Sequence, residues 1–172
     1  MKILLYIMLL LAFVSGGENK GKVKWYSMQE ALDLQKKAPK KILVDVYTDW
    51  CGWCKKMDKE TFENEAVAKY MNANFYCVKF NAEGNDTIVF MGHKFVNKAY
   101  GKRHGTHQFT PVLLNGKISY PSYVFLSEQA KGITVVKGYQ PVSLWMSYLR
   151  YVAKNKYKTM SYQDYYKEEE AD

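Results

Sequence analysis

Hydrophobic and polar positions along the chain follow helical and strand periods in turn. Ser27 and Glu30 form a capping box, and apolar residues at helical spacing continue from it as far as Pro39. Residues 41–47, KILVDVY, are a short apolar run interrupted by a single acid, which is typical of a buried strand. The pattern therefore predicts a helix followed by a strand.

The same alternation continues toward the middle of the chain. Helical spacing starts at Cys54 and is renewed after Asn64, a residue type that caps helices, and residues 75–83 form the next strand pattern. After that strand, Asp86 can cap a helix whose apolar positions continue to Gly101, a residue type common just beyond a helix end. These patterns predict helix, strand and helix in succession.

Short strands and a final helix complete the pattern. The Asn-Gly pair at residues 115–116 stands between two apolar runs, and this arrangement predicts a hairpin. Residues 122–126 and 133–139 resemble two strands joined by a polar turn, so we expect an antiparallel pair. Pro141 opens an amphipathic helix.

The two ends of the chain differ from the rest. Residues 1–17, MKILLYIMLLLAFVSGG, have an early lysine, an apolar run and then small residues, which is the pattern of a cleavable secretory signal. The apolar run is shorter than the roughly twenty residues that cross a bilayer, so a permanent anchor is less expected. We expect a periplasmic or secreted protein. Residues 157–172 are acidic and tyrosine-rich, and we expect a frayed extension or a partner contact there.

Composition narrows the class of protein. A chain of 172 residues has room for one domain with its own core, and the 48% hydrophobic and 16% aromatic content excludes a disordered chain. The formal net charge of +8 allows acidic partners or anionic lipid. Nucleic acid is not an expected partner, because the lysines are scattered and no binding motif accompanies them. We expect one domain over residues 18–156.

Two cysteines stand where the first long strand gives way to a helix. The tract ILVDVYTDWCGWCK places Cys51 and Cys54 two residues apart, and YPSYVFL and Gly138 follow later. Over about residues 25–155 the chain resembles the thioredoxin superfamily, and within it secreted bacterial thioredoxin-like domains. The resemblance implies a three-layer α/β/α sandwich around a mixed sheet, and a thiol–disulfide oxidoreductase. Residues 102–116 exceed the loop of minimal thioredoxins, and this insertion is expected to affect partner choice.

The residues of this tract support redox chemistry independently. Only a thiolate attacks a disulfide, and Cys51 is placed at a helix N-terminus, where unpaired N–H groups favour an anion. Cys54, one turn further in, is expected to resolve the mixed disulfide, and Gly52 keeps the approach to Cys51 open. Trp53 stands where thioredoxin itself has proline, which leaves the redox potential open.

A buried acid is expected beside the dithiol. Asp45 lies six residues before Cys51 and matches the family's acid that assists proton transfer at the second cysteine. Desolvation within an apolar strand should raise the pKa of this acid, which suits a general base near neutral pH. Lys79 matches the family's strand lysine near the acid. From the residues alone, Asp45 could equally be satisfied by the backbone or Lys79, and Lys79 could be a solvated surface residue.

A proline and three aromatic residues are expected to form the substrate groove. The resemblance implies that Pro121 follows a cis bond to Tyr120 and faces the dithiol, with Trp50 and Trp53 completing an apolar rim for an extended peptide. Only about 5% of X–Pro bonds in folded proteins are cis, so without the resemblance we would predict trans. Aromatic residues at this spacing also occur in cores, which remains the alternative for the rim.

Other uses of the cysteines stay open. Cys51 and Cys54 could join His104 and His107 as four zinc ligands, although histidines in glycine-containing loops are more often simply exposed. Cys77 is expected to be a buried free thiol, with regulatory or intermolecular pairing as the alternative.

We therefore predict a thiol–disulfide oxidoreductase that acts on disulfides or thiols of exported proteins. The resemblance favours a reductase, and the oxidase and isomerase directions stay open because the same dithiol can support them. Its electrons are expected from a membrane-bound or soluble thiol donor. No cofactor is required, because the dithiol itself carries two electrons. The alternative is a chaperone-like client-binding module or a metal carrier that acts without turnover.

Overall fold

A computed structural model describes residues 21–171, and its secondary structure is as follows. In chain order, the elements are β1 (Trp25–Tyr26), α1 (Met28–Lys37), β2 (Lys41–Tyr47), α2 (Gly52–Met57), a π-helical turn (Asp58–Phe62), α3 (Glu65–Asn74), β3 (Phe75–Asn81), β4 (Ile88–Phe90), β5 (His93–Phe95), α4 (Phe109–Leu113), β6 (Ser122–Leu126), β7 (Gly132–Lys137), α5 (Val142–Ala153), a 3₁₀ turn (Lys156–Lys158) and α6 (Tyr162–Ala171).

A mixed sheet of five strands lies at the centre, in the order β1-β3-β2-β6-β7. β1, β3 and β2 are parallel, whereas β6 runs antiparallel to β2, and β7 runs antiparallel to β6. In this register, Asp45 of β2 stands between Lys79 of β3 and Tyr123 of β6. The sheet thus brings together residues that are far apart in the sequence.

Helices cover both faces of the sheet. Alternate residues of a strand point to opposite faces. Val44 of β2 therefore joins a buried cluster with residues of α1 and α4, whereas Leu43 joins another with residues of α2, α3 and α5. The predicted three-layer α/β/α sandwich is confirmed.

The pattern of hydrophobic positions locates most elements correctly. α1 begins with the predicted capping box, in which the Ser27 hydroxyl accepts the Glu30 N–H at 3.2 Å and the Glu30 carboxylate accepts the Ser27 N–H at 2.7 Å. β2, β3, the antiparallel β6–β7 pair and α5 also lie where the pattern predicts them. The predicted helix after the cysteines differs in detail, because α2 passes into the π-helical turn. Its wider winding buries both Thr61 and Phe62.

The predicted helix between Asp86 and Gly101 is wrong. β4 and β5 form a two-stranded hairpin there, and its turn contains Met91 and Gly92 with φ angles of 49° and 80°. Two consecutive positive φ angles suit a tight hairpin turn. The aromatic residues that fitted a helical period instead pack on Phe109 of α4.

The predicted hairpin at residues 115–116 is also wrong. Asn115 and Gly116 have φ angles of 51° and 75°, but they end α4 and do not connect two strands. The Gly116 N–H donates to the Pro111 carbonyl at 2.8 Å, which closes the C-terminus of the helix. An Asn-Gly pair supplies the left-handed conformation for either use.

The C-terminal segment is not frayed within the described residues, which corrects the prediction. α6 packs on α5: Tyr162 stacks on Tyr148 with ring centroids 3.7 Å apart, Tyr165 is buried, and Arg150 pairs with Glu169. The predicted signal segment, residues 1–17, lies outside the described residues. Within residues 21–171, no helix has both the length and the hydropathy needed to cross a membrane.

Candidate active site

Cys51 and Cys54 lie where β2 gives way to α2. A turn closed by the Cys51 N–H and the Thr48 carbonyl, 3.1 Å apart, leads from the strand into the helix. Cys51 caps α2, and its sulfur accepts the Cys54 N–H at 3.1 Å. The two cysteines form a disulfide whose Cα atoms are 5.3 Å apart. In the reduced protein, the same N–H would favour a thiolate at Cys51, because hydrogen bonding to a charged form stabilises that form.

The disulfide can be approached from the side of Gly52. Cys51 is 6% exposed and Cys54 is 2% exposed, so Cys54 lies deeper. Gly52 is exposed, and a Cβ placed on it would have no neighbour within 4 Å. Cys51 is therefore the less covered of the two cysteines, and the space beside Gly52, its neighbour in the chain, is open.

Aromatic rings surround this opening. Trp50 and Trp53 are 56% and 58% exposed, so neither is a core residue. The ring centroid of Trp50 lies 6.0 Å from that of Tyr120, and the centroid of Trp53 lies 5.9 Å from that of Tyr139. Tyr139, which was not predicted at the site, thus also lies at this rim.

Pro121 lies at the end of the sheet where β2 leads to the cysteines. The Tyr120–Pro121 bond is cis, as the family resemblance implies. The Pro121 carbonyl accepts the Gly138 N–H at 2.9 Å. Because Ser122 pairs with Val46 near the end of β2, Pro121 lies close to the turn that leads to the cysteines.

Asp45 is buried on the face of the sheet that α2 covers. Its side chain is 2% exposed, its Oδ2 lies 2.6 Å from Lys79 Nζ, and its Oδ1 has no partner among the described residues. Burial raises the pKa of Asp45 to about 6, because desolvation outweighs the attraction of Lys79. Burial also raises the pKa of Tyr123, the other neighbour in the register, so that phenol stays neutral.

Lys79 joins Asp45 to a second carboxylate. It also pairs with Asp58, which follows the last residue of α2 and donates its backbone N–H to the Cys54 carbonyl. Burial alone would lower the pKa of Lys79, but the two carboxylates raise it above its usual value. Rings of Trp25 and Tyr47 lie 4.9 Å and 5.1 Å from the ammonium. The structure therefore places Lys79 with Asp45 in a partly buried ion cluster.

Asp58 and Glu83 were not predicted at the site, and His104 was considered only as a zinc ligand. Asp58 stands four residues after Cys54, a helical spacing that could have drawn attention to it. Glu83 accepts the indole N–H of Trp50 at 3.0 Å and lies 3.4 Å from Nδ1 of His104. No local sequence pattern points to that contact.

The zinc alternative does not match the geometry. His107 is buried, its Nδ1 accepts the Phe109 N–H at 3.0 Å, and its Nε2 lies 2.8 Å from the Asp86 carbonyl. His104 instead packs against Trp50. Among residues 21–171, no three or more His, Cys, Asp or Glu side chains are grouped so that they could hold a metal ion.

Cys77 is a free, fully buried cysteine of β3, as predicted. Burial raises the pKa of its thiol to about 12. A thiol with so high a pKa forms little thiolate near neutral pH, so Cys77 is poorly suited to disulfide exchange.

Comparison with known families agrees with this geometry. The family model "Thioredox_DsbH: Protein of unknown function, DUF255" matches residues 17–144. The chain belongs to this family. The superfamily resemblance is thus confirmed at the level of the thioredoxin fold.

Relatives match over short parts of longer proteins. The uncharacterized protein B0495.5 of Caenorhabditis elegans is 34% identical over 113 residues, which are 65% of this chain and 13% of that protein. The thiol:disulfide interchange protein DsbD of Vibrio vulnificus is 46% identical over 41 residues, or 24% of this chain and 7% of that protein. Mouse spermatogenesis-associated protein 20 is 42% identical over 62 residues, which are 36% of this chain and 8% of that protein. The matched parts therefore span 13% or less of these relatives.

Solved structures share the fold at low sequence identity. A thioredoxin-fold protein from Helicobacter pylori has a TM-score of 0.58 and 18% identity, covering 77% of this chain and 81% of that one. A thioredoxin from Thermus thermophilus has a TM-score of 0.57 and 19% identity, covering 76% and 87%. A structure titled "DsbH Oxidoreductase" has a TM-score of 0.53 and 18% identity, covering 77% and 85%. These similarities establish the fold alone.

Proposed function

We propose that this protein is a thiol–disulfide oxidoreductase that reduces disulfides of exported protein clients. The observation that carries the proposal is the Cys51–Cys54 disulfide, which lies beside an open approach and near the buried Asp45. The thioredoxin fold and the family match support redox chemistry in general. Export and the reductase direction are our extension, based on the predicted signal segment and on the name of the DsbD relative.

The exchange takes place in two steps. The Cys51 thiolate attacks one sulfur of a client disulfide, the client S–S bond breaks, and the second client sulfur leaves as a thiolate that takes up a proton. The Cys54 thiolate then attacks the Cys51 sulfur, which restores the protein's disulfide and releases the first client sulfur. Two electrons pass to the client, and a thiol donor returns the protein to the dithiol state by the same exchange.

Asp45 is proposed to accept the proton of Cys54 in the second step. Above a pH of about 6, Asp45 is ionised and can take a proton. Lys79 stays charged and limits the rise in the pKa of Asp45. Its pairing with Asp58, which bonds the Cys54 carbonyl through the backbone, links the ion cluster to α2.

The surface around Cys51 is proposed to hold an extended client segment. Trp50, Trp53 and Tyr120 offer exposed apolar rings to such a segment. Pro121 lacks a backbone N–H, and the backbone beside it can pair with the client. We propose that no cofactor is needed, because the dithiol supplies both electrons.

Trapping of mixed disulfides tests the proposed roles. Cys54→Ser leaves the attacking thiol without a resolving partner, so it should accumulate mixed disulfides with exported proteins. Cys51→Ser should trap none, and Cys77→Ser on the Cys54→Ser background should leave trapping unchanged. Equal trapping by the two single variants, or full activity of the double serine variant, would contradict the proposal in favour of client binding without turnover.

The redox potential tests the direction. The dithiol can be equilibrated with glutathione buffers, and its oxidised fraction measured by the change in tryptophan fluorescence. A potential near or below about −230 mV supports a reductase, whereas one near −120 mV supports an oxidase.

A further inference from the structure

A loop between β5 and α4, residues 97–107, forms one side of the candidate groove; we call it the rim loop. Its His104 packs edge-on against Trp50, with ring centroids 5.3 Å apart. Glu83 joins the two residues, since it accepts the Trp50 indole N–H at 3.0 Å and lies 3.4 Å from His104 Nδ1. Because Trp50 directly precedes Cys51, the rim loop lies beside the approach to the disulfide.

Buried hydrogen bonds hold the rim loop in place. The amide of Asn97, a residue that is 7% exposed, donates to the carbonyls of Glu83, Gly84 and Gly105 at 3.2, 2.9 and 2.8 Å. A Cβ on Gly105 would lie 1.9 Å from the Ala99 carbonyl oxygen, so only glycine fits at that position. The loop is therefore ordered before any client binds, and binding incurs little ordering cost.

The acidic residues around the disulfide already have partners in the protein. Glu83 accepts the indole N–H of Trp50 and lies beside His104. Glu60 accepts the Tyr139 hydroxyl at 2.6 Å, and Asp49 accepts the amide of Asn81 at 3.1 Å. These contacts hold the carboxylates in place within the protein, and Glu60 also pairs with Lys56 at 3.9 Å.

The cations at the rim are differently placed. Lys102 and Arg103 are exposed on the rim loop directly before His104, and neither has a carboxylate within 4.0 Å among residues 21–171. On the other side of the dithiol, the ammonium of Lys56 lies 5.1 Å from the centre of the Trp53 ring. Lys56 also lies 3.9 Å from the Glu60 carboxylate, so the cations without a carboxylate partner are those of the rim loop. Their positive charge lies on the loop that packs against Trp50, and it complements an acidic ligand.

We propose that the rim loop selects client segments with acidic side chains next to the reacting cysteine, and that Lys102 and Arg103 are the residues that recognise them. The occupant is an extended acidic peptide whose apolar groups contact Trp50 and Trp53. The proposal rests on the proposed function, because it gives that function a class of substrate.

Peptide binding to the oxidised full chain tests the preference without any redox step. Three peptides of equal length carry serine in place of cysteine, flanked by acidic residues, by glutamine or by lysine, and binding is followed by tryptophan fluorescence. Exposed ion pairs each change affinity by up to about fivefold. We therefore expect the acidic peptide to bind about tenfold tighter than the glutamine peptide, and the lysine peptide to bind most weakly.

Charge variants locate the effect. In the variant K102Q/R103Q, the difference in affinity between the acidic and the glutamine peptide should fall from about tenfold to less than about threefold. The control K37Q/K131Q removes the same charge near the other ends of the strands, from the exposed Lys37 that ends α1 before β2 and the exposed Lys131 that precedes β7. It should retain the full difference. In 1 M salt the difference should shrink in the wild type, because the screening length falls from about 10 Å at 0.1 M to about 3 Å.

Equal affinity for the three peptides, or an equal loss in both double variants, would overturn the inference. A parallel reduction assay uses the same three peptides with cysteine in place of the serine, each linked through a disulfide. It separates failure of the acidic preference from failure of the proposed function. Reduction of all three peptides at equal rates would leave the redox function in place and reject the acidic preference. An acidic preference in binding without reduction of any peptide would retain the recognition surface and reject the redox function.

Discussion

Two charged clusters flank the dithiol, and they lie at different depths. The inner cluster contains Asp45 and Lys79, whose side chains are 2% and 22% exposed. The outer cluster contains Glu83 and His104, at 23% and 56%, beside the half-exposed Trp50. Desolvation raises the pKa of Asp45 to about 6, whereas solvent screens the outer charges. The inner cluster is therefore the one with a large effect on stability and the one proposed to take part in proton transfer, whereas the outer cluster holds Trp50 beside Cys51 at little cost in stability.

Removing Lys79 should have the largest effect on stability. Lys79→Met leaves the buried carboxylate of Asp45 without its cation, so the free energy of unfolding should fall by about 3 kcal/mol at pH 8. At pH 5 the loss should be smaller, because Asp45 is then mostly protonated and needs no partner. Denaturation of the oxidised protein in guanidinium chloride at both pH values measures this. Lys69→Met, at an exposed position of α3, should cost less than about 0.5 kcal/mol at either pH.

Neutralising Asp45 should have an effect of similar size, in the opposite direction. The pKa of Asp45 is 3.8 in the unfolded reference and about 6 in the folded protein, so the folded state holds the proton more tightly between these values. The free energy of unfolding therefore falls as pH rises through this window, and Asp45→Asn removes that fall. The variant should be more stable than the wild type by about 3 kcal/mol at pH 8, and this advantage should disappear below about pH 4.

The same variant separates a role in catalysis from a role in stability. Asp45→Asn should slow resolution of a Cys51 mixed disulfide at pH 7 while the initial attack by Cys51 keeps its rate. Stopped-flow measurement of the two phases distinguishes the outcomes, and an unchanged resolving phase across pH 5–8 would exclude Asp45 as the proton acceptor.

Neutralising Asp58 should have a smaller effect, because its side chain is 43% exposed. Asp58 raises the pKa of Asp45 through its negative charge, so Asp58→Asn should lower that pKa. The carboxyl ¹³C signal of Asp45 in an NMR pH titration reports the direction, and the stability change should stay below about 1 kcal/mol. Glu63→Gln, at an exposed position just after the π-helical turn, should leave the titration unchanged. A shift of similar size in that control would show that Asp58 has no special connection to Asp45.

Removing Glu83 should have the smallest effect on stability and a local effect on Trp50. Glu83→Ala deletes the acceptor of the indole N–H, so this N–H should exchange faster with water in ¹⁵N NMR spectra. Glu83→Gln keeps an acceptor and should retain slow exchange. The loss of stability should remain below about 1 kcal/mol, because water can replace the bond at the surface. If the Trp50 indole N–H exchanges as fast in the wild type as in Glu83→Ala, the outer cluster does not order the rim.

Much of the fold can be predicted because its signals are local. β2, the junction at Cys51 and the capping box of α1 each depend on a few consecutive residues. By contrast, residues 84–116 were predicted with a helix and a hairpin in the wrong places. Met91-Gly92 and Asn115-Gly116 both adopt positive φ angles, and this conformation serves a hairpin turn in one case and a helix end in the other.

Tertiary packing decides between such uses. Phe90 and Phe95 form strands because both rings pack on Phe109, which is distant from them in the chain. The same holds for α6, where tyrosines that looked solvated in an acidic segment are covered by α5. Sequence periodicity does not contain these partners, so propensity alone was insufficient.

The sequence by itself determined the strand, the cysteine pair at its end and the acid six residues upstream, because backbone periodicity and local capping place them. The family resemblance implied Lys79 beside Asp45, but the tertiary structure decided how the charges around the dithiol meet. The register of β2 with β3 brings Lys79 to Asp45, and the fold of residues 82–108 brings Glu83 and His104 to Trp50. Such contacts depend on strand pairing and burial across the molecule, and no local pattern in the chain encodes them.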